Sequence, residues 1–185
     1  LEIAWTHRSG DYHEGGNTID GVVEDEPFQT SLHVTPVLFE DTLYYCTPYN
    51  RVFALDPNTV IERWSYDPEV AEENRGGPCR GVATWTSSLI SADAVCQTRI
   101  LTGTVDGRLI ALDAKSGKTC ADFGANGTVN ALEGLGEHPL GEYRLTTPGG
   151  IIGDLIVIGG AISANLTTSV PGGVVRAYDL NTGEL

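Results

Sequence analysis

The sequence Ala54-Leu-Asp-Pro-Asn-Thr-Val-Ile-Glu-Arg-Trp64 has two further copies in the chain. The second starts at Ala111 (Ala-Leu-Asp-Ala-Lys-Ser-Gly-Lys-Thr-Cys-Ala) and the third at Ala177 (Ala-Tyr-Asp-Leu-Asn-Thr-Gly-Glu-Leu). The shared pattern is A-x-D-x-x-[T/S]-G-x-x-x-W, in which Val60 replaces the first glycine and Ala121 replaces the second tryptophan. The third copy ends before its tryptophan. Such an internal repeat predicts an architecture built from repeated units.

Each copy has the features of a β-hairpin. The aspartate follows a strand and can accept hydrogen bonds from backbone N–H groups of the next turn, and the glycine supplies a positive φ. A tryptophan then packs at the end of the following strand. A further predicted hairpin precedes the first copy, at Val34–Cys46, and the third copy, at Ile151–Ile158. Four strands per repeat of about 40 residues or more are typical of propeller blades.

Glycine and proline interrupt the chain at short intervals, and short runs rich in Val, Ile, Leu, Thr and Tyr lie between them. These runs predict antiparallel strands joined by tight turns, and no segment keeps helical spacing between caps for three turns. The sequence therefore predicts an all-β fold. The strands predicted from these runs are Val34–Leu38, Thr42–Cys46, Arg51–Leu55, Arg99–Val105, Arg108–Leu112, Leu155–Ile158 and Val174–Tyr178.

We expect about three four-stranded blades of a β-propeller. Residues 1–10 are predicted to supply the closing strand of a preceding blade, and blades are predicted at about 31–67, 79–123 and 143–185, the last of them truncated. Because blades bury their faces only against neighbouring blades, we expect this chain to be one part of a larger propeller. The absence of any methionine fits the same expectation.

Composition limits the partners that the chain can have. It holds 11 Lys and Arg against 25 Asp and Glu, a formal charge of −14, and 41% hydrophobic residues, so it is globular and strongly acidic. Nucleic acid and anionic membrane surfaces are therefore not expected partners. The longest apolar runs, such as Leu155–Ile158, are far shorter than the roughly 20 residues of a membrane-spanning helix.

The four cysteines allow two disulfides or four buried thiols. Composition and spacing alone leave both possibilities open, and four cysteines permit three disulfide connectivities. No Cys-x-x-Cys pair is present, so a zinc or redox motif has little support. The cysteines are Cys46, Cys79, Cys96 and Cys120.

Further motifs extend the pattern over nearly the whole chain, apart from Tyr12–Thr30 and the stretch around Ala71–Gly77. They are Leu1–Asp11, Val34–Pro36, Asp41–Pro48, Asn50–Asp56, Cys79–Val82, Asp106–Asp113, Asp122–Gly124, Thr146–Pro148 and Gly173–Asp179. Together with the repeats, these motifs resemble the pyrroloquinoline quinone (PQQ) dependent dehydrogenases, and within them the membrane-bound glucose, sorbitol and quinate dehydrogenase branch. The resemblance implies an eight-bladed propeller with a tryptophan docking motif in each blade and PQQ lying on the propeller axis.

The resemblance implies that Arg80 in Cys-Arg-Gly-Val pairs with the acidic, oxygen-rich edge of PQQ. A guanidinium suits this role because its fork binds planar anions bidentately. The alternative for an isolated arginine is a surface side chain at a strand end. The other implied cofactor-binding residues are Thr146 and Thr147, which by themselves would also suit a strand start, and Gly160 and Ala161, whose small size would let the backbone approach the cofactor.

Calcium is the second cofactor that the resemblance implies, with Asn165 as a ligand through its amide oxygen. The alternative for Asn165 is a loop turn or a glycosylation sequon. Three positions depart from the family pattern: His33 replaces a glutamate, Ala164 replaces an aspartate, and Gly76 replaces the histidine of the glucose branch. We expect these departures to alter the affinity for cofactor or metal.

The implied function is oxidation of an alcohol, polyol or sugar hydroxyl, with electrons passing to ubiquinone or a cytochrome. The family's catalytic aspartate comes from later blades, so no catalytic residue is assigned in this chain, which by itself is expected to be inactive. The resemblance also implies a periplasmic setting, membrane contact only through parts outside this chain, and cysteine pairs Cys46/Cys79 and Cys96/Cys120.

An alternative function is a non-catalytic propeller that binds other proteins, as do outer-membrane assembly scaffolds that share these repeats. The substitutions at 33, 76 and 164 favour this alternative. The motifs Cys79–Val82 and Thr146–Pro148 argue against it, because a scaffold has no evident need for them.

Overall fold

The computed structural model describes residues 2–12, 30–71, 77–136, 142–162 and 172–185. The regular structure within these ranges is β-strand, which confirms the all-β prediction. The described residues contain no helix long and apolar enough to cross a membrane. The strands are β1 (Val37–Phe39), β2 (Thr42–Cys46), β3 (Val52–Leu55), β4 (Glu62–Tyr66), β5 (Ala83–Thr86), β6 (Thr98–Gly103), β7 (Arg108–Asp113), β8 (Thr128–Asn130), β9 (Tyr143–Arg144), β10 (Gly150–Ile152), β11 (Leu155–Gly159), β12 (Ala161–Ile162) and β13 (Val175–Asp179).

The strands form three antiparallel meanders, which we call blades 1 to 3. Blade 1 is the sheet β1-β2-β3-β4, blade 2 is β5-β6-β7-β8, and blade 3 is β10-β11-β13. A separate pair joins β9 to β12 beside blade 3. Two consecutive four-stranded sheets of this kind are the blades that the repeat predicts.

The core lies between the blades, because blade 2 buries one face against blade 1 and the other against blade 3. Along β6 and β7 the side chains alternate, as strand geometry requires. Ile100 pairs with Leu112 and packs with blade 1, whereas the neighbouring pair Leu101 and Ala111 packs with blade 3. Blade 2 is thus the middle layer of a three-sheet stack.

The three aspartate turns share one geometry. Asp56 Oδ1 accepts hydrogen bonds from the backbone N–H groups of Asn58 (3.0 Å) and Thr59 (2.9 Å), and Asp179 accepts equivalent bonds from residues 181 and 182. In blade 2, Asp113 accepts the bond from Ser116 N–H at 2.8 Å. The residue after the Thr or Ser position has a positive φ in all three turns, including Val60 with φ 59°. The turn chemistry inferred from the repeat is therefore confirmed.

Trp64 joins blade 1 to the turn of blade 2. Its Nε1 donates to the Ala114 carbonyl oxygen at 2.9 Å, and its ring covers Gly117 so closely that a Cβ there would lie 2.6 Å from Cδ2. Blade 2 lacks a tryptophan at the matching position, and main chain makes the contact instead: Gly124 N–H donates to the Thr182 carbonyl oxygen at 2.8 Å. Glycine at these positions thus permits one blade to dock on the next.

Residues 2–12 contain no strand, although the sequence predicts a closing strand at 1–10. A strand needs a neighbour for its backbone hydrogen bonds, and no described strand pairs with this segment. Side chains hold it on blade 1 instead: Trp5 Nε1 donates to the Pro57 carbonyl oxygen at 3.0 Å, and His7 Nδ1 lies 2.6 Å from the Tyr45 hydroxyl. Asp11, with a side chain that is 1% exposed, pairs with Arg51 at 2.9 Å.

Both expected cysteine pairs are disulfides. Cys46 is bonded to Cys79 and Cys96 to Cys120, and all four side chains are buried. This confirms the pairing that the family resemblance implies and selects one of the connectivities that the spacing left open.

Candidate functional site

The segments that lead into the three blades meet at one end of the sheets. Thr35, ahead of β1, donates its N–H to the Arg80 carbonyl oxygen at 3.0 Å. Arg80, ahead of β5, donates its own N–H to the carbonyl oxygen of Thr146, which lies ahead of β10, at 2.9 Å. The family resemblance assigns both Arg80 and Thr146 to the cofactor, and the structure brings them into direct contact.

The Arg80 side chain also bonds to Thr146. One guanidinium nitrogen, Nη1, donates to Thr146 Oγ1 at 2.7 Å; Thr146 is buried, whereas Arg80 is exposed. Among the residues that the structure describes, no carboxylate lies within ion-pairing distance of Arg80. A neutral hydroxyl therefore holds one terminal nitrogen of the guanidinium, and the positive charge stays available to an anion.

Thr147 and Pro148 continue the same segment. Thr147 is exposed, and Pro148 packs on Gly81, where an added Cβ would lie 3.4 Å from Pro148 Cγ and 3.3 Å from the Thr35 carbonyl oxygen. The other two segments thus enclose the backbone of Gly81, so a Cβ at this position would require Thr35 or Pro148 to shift by a few tenths of an ångström.

Gly160 and Ala161 lie at the join of β11 and β12. Ala161 pairs with Arg144, two residues before Thr146, and is exposed. Gly160 lies against the ring of Tyr143, where a Cβ would be 2.1 Å from Cζ. Glycine at 160 thus leaves room for the Tyr143 ring on this side of the backbone, and burial raises the pKa of the Tyr143 hydroxyl.

Two of the departures from the family pattern, Gly76 and Ala164, lie outside the described residues, as does Asn165. The third, His33, is exposed, and its Nε2 lies 2.5 Å from Ser31 Oγ. Within the described ranges, the single group of three potential metal ligands is Cys96, Cys120 and Asp122. Its two cysteines form a disulfide, so this group does not suit Ca²⁺, which prefers oxygen ligands.

The sequence did not predict an ion pair, Asp106 with Arg108, that holds the segment leading toward Arg80. Arg108 donates to both carboxylate oxygens of Asp106 and, through Nη2, to the Pro68 carbonyl oxygen at 2.9 Å, in the segment that leads toward Arg80. Although burial opposes ionisation, hydrogen bonds from Arg108 and Thr104 lower the pKa of Asp106 below its usual range. The motif Asp106-Gly-Arg108 was visible in the sequence, but its partner 40 residues away was not.

Comparison with known proteins identifies the family. A family model described as "PQQ: Glucose/ethanol/alcohol dehydrogenase, beta-propeller domain" matches residues 1–185. The chain belongs to this family of PQQ-dependent dehydrogenase propellers. It is 34% identical to quinoprotein glucose dehydrogenase A of Acinetobacter calcoaceticus and 37% identical to the quinate/shikimate dehydrogenase (quinone) of Acinetobacter baylyi. Both matches cover 100% of this chain but 24% of the relative, so the chain spans about a quarter of their length.

A solved structure of the same family supports the fold. The quinohemoprotein alcohol dehydrogenase from Comamonas testosteroni superposes with a TM-score of 0.66 and 27% sequence identity, over 84% of this chain and 20% of that one. Within this PQQ-dependent family, the donors at the Arg80 site fit a planar ligand with carboxylates: an exposed guanidinium, a threonine hydroxyl that fixes it, and a second, exposed threonine.

Proposed function

We propose that the full-length protein carrying this chain is a PQQ-dependent dehydrogenase that oxidises an alcohol, polyol or sugar hydroxyl, and that this chain forms one side of its cofactor pocket. The observation that carries the proposal is the Arg80 guanidinium, exposed, bonded to Thr146 and without a carboxylate partner among the described residues. A cation held in this way is pre-organised for an anionic ligand, because little rotamer freedom remains to be lost on binding.

PQQ, when bound, would accept two electrons from the substrate. The chain's own residues would hold the cofactor: Arg80 would bind a PQQ carboxylate, and Thr146 would keep the guanidinium pointing at it. Thr147, with Gly160 and Ala161 at the β11–β12 join, would supply neighbouring contacts. Asn165 would offer an amide oxygen to Ca²⁺.

The substrate class and the setting are part of the same proposal. The named relatives act on glucose, quinate or shikimate, and glycerol according to their names, so a polyhydroxylated substrate is the first choice. We propose a quinone or cytochrome as the electron acceptor. The two buried disulfides support an oxidising compartment such as the periplasm.

The test is binding of PQQ to the full-length protein, measured by equilibrium dialysis in the presence of Ca²⁺ and followed by a dye-linked oxidation assay on sugars, polyols and quinate. Arg80→Ala should weaken PQQ binding by about tenfold or more, because a hydrogen bond to a charged group contributes about 1.5–3 kcal/mol. Arg80→Lys should retain part of the affinity, since it keeps the charge but loses the fork.

Lys118→Ala is the matched control, because it removes one positive charge from the exposed turn after β7. We expect it to change PQQ affinity by less than about twofold. Wild-type protein that neither binds PQQ nor oxidises any substrate of the panel would contradict the proposal and favour the scaffold function. Equal changes of PQQ affinity in the Arg80 and Lys118 variants would show that Arg80 does not bind the cofactor.

A further inference from the structure

We propose that the Cys46–Cys79 disulfide positions Arg80 for PQQ, a role that rests on the proposed function and adds to it. Cys79 immediately precedes Arg80 in the chain and is covalently tied to Cys46, the last residue of β2. Both cysteines are buried, so the proposed role is to act through Arg80, which is exposed. The crosslink is thus a positioning element rather than part of the binding surface.

The crosslink ties Arg80 to a rigid strand. β2 is an inner strand of blade 1, paired with β1 on one side and with β3 on the other, and Cys46 faces Val52 of β3. Cys46 and Cys79 are 0% and 3% exposed. Motion of Cys79 relative to blade 1 would therefore require a covalent bond to break or a packed strand to shift.

Apart from the disulfide, hydrogen bonds and packing hold the segment around Arg80, and Val82 is buried in the core. The described parts of the connection from β4 to β5, residues 67–71 and 77–82, contain no strand, so no sheet holds this backbone. Its main-chain bonds at Arg80 go to Thr35 and Thr146, which also lie outside strands. Irregular segments that are bonded only to one another can shift together. The disulfide, in contrast, fixes the position of Arg80 relative to the sheet of blade 1.

The disulfide also restrains Gly81, the residue that follows Arg80. Cys79 Sγ lies 3.7 Å from the Gly81 carbonyl oxygen, so the sulfur contacts the residue on the far side of Arg80. Gly81 in turn is enclosed by Thr35 and Pro148. The two residues that flank Arg80 are therefore both restrained, and the direction in which its side chain leaves the backbone is set by them.

The second disulfide provides a control within the same molecule. Cys96–Cys120 closes a loop with a sequence separation of 24, against 33 for Cys46–Cys79, and it is equally buried. It lies beside the aspartate turn of blade 2, where Cys96 N–H donates to Asp113 Oδ2 at 2.7 Å. Loops of similar length give similar stabilisation, so the two disulfides differ in place rather than in strength.

The experiment compares PQQ affinity in full-length C46A/C79A and C96A/C120A variants, at a temperature where circular dichroism shows that both are folded. C46A/C79A should raise the PQQ dissociation constant about tenfold, a loss similar to that seen when a group that orients a metal ligand is removed, and C96A/C120A should change it less than about twofold. The variant C46V/C79A, which retains apolar volume in the core, is used if C46A/C79A does not fold.

A double-mutant cycle separates positioning from general stability. In the Arg80→Ala background, removal of the Cys46–Cys79 bond should no longer change PQQ affinity, because the group that it positions is absent. Equal affinity of C46A/C79A and wild type, or an undiminished effect in the Arg80→Ala background, would overturn the positioning role while leaving the proposed function intact. Wild-type protein that does not bind PQQ would overturn both.

Discussion

Val60 stands where the other two repeats have glycine, and it adopts the same backbone conformation. Its φ is 59°, compared with 71° for Gly117 and 77° for Gly183. An L-residue in this left-handed region is less stable than glycine by roughly 1–2 kcal/mol, and a β-branched side chain is poorly suited to it. The valine side chain packs against the cluster of Tyr45, Phe53 and Leu55, which offsets part of this cost.

Replacing Val60 should reveal this strain. We expect Val60→Gly to be more stable than Val60→Ala by about 1 kcal/mol, because both lose the γ-methyl groups of valine and only glycine relieves the positive φ, which outweighs the further loss of Cβ. Urea denaturation of the two variants under identical conditions measures the difference. Equal stabilities, or a more stable alanine variant, would show that the turn relaxes without strain.

Single-residue chemistry was largely readable from the sequence. The repeat marked the aspartates, the positive-φ position and its exception at Val60, because all of these act within one turn. The bond from Arg80 to Thr146 was not readable, although the family resemblance assigned both residues to the cofactor. The two lie 66 residues apart, and their contact depends on how one blade sits against the next.

The packing of blade 1 on blade 2 depends on the small size of Gly117. Gly117→Ala should destabilise the protein by about 1–3 kcal/mol more than Gly153→Ala does. Both glycines have a positive φ, but an added Cβ at 117 would lie 2.6 Å from the Trp64 ring, whereas at 153 it would meet open space. Thermal denaturation of both variants compares them, and an equal loss would mean that the Trp64 contact contributes little.

The strands follow the sequence closely where the pattern is strong. Thr42–Cys46 is predicted and observed with the same bounds, and Arg108–Leu112 is extended by one residue. The short strands β8 and β9 could not be predicted, because two or three residues carry too little periodicity. The N-terminal segment differs for another reason: its apolar residues suit a strand, but a strand also requires a partner.

The whole molecule should lose stability in acid. The N–H group of Thr59, with further hydrogen bonds from Arg63 and Asn58, holds the pKa of Asp56 well below its ordinary value of 3.8. The hydrogen bond from Lys115 likewise lowers the pKa of Asp93. A carboxylate with a lowered folded-state pKa contributes stability that is complete above the unfolded value, about pH 4, and is lost as the pH falls below it.

We therefore expect the thermal midpoint to fall between about pH 4 and pH 2, and to fall less steeply in Asp56→Asn. The asparagine amide oxygen can still accept the two turn hydrogen bonds, but it does not titrate. Thermal unfolding followed by circular dichroism at several pH values tests this. Parallel curves for wild type and variant would show that Asp56 has no part in the acid response.

The contact of Trp64 with the blade 2 turn can form only after the turn itself has been synthesised. The indole donates to a carbonyl oxygen 50 residues further along the chain. While the ribosome is still making those residues, the Trp64 ring on the outer strand of blade 1 has Tyr44 of its own sheet beside it but lacks its partner in the next sheet. Blade 1 can therefore complete its packing against blade 2 only after residue 114 has been synthesised.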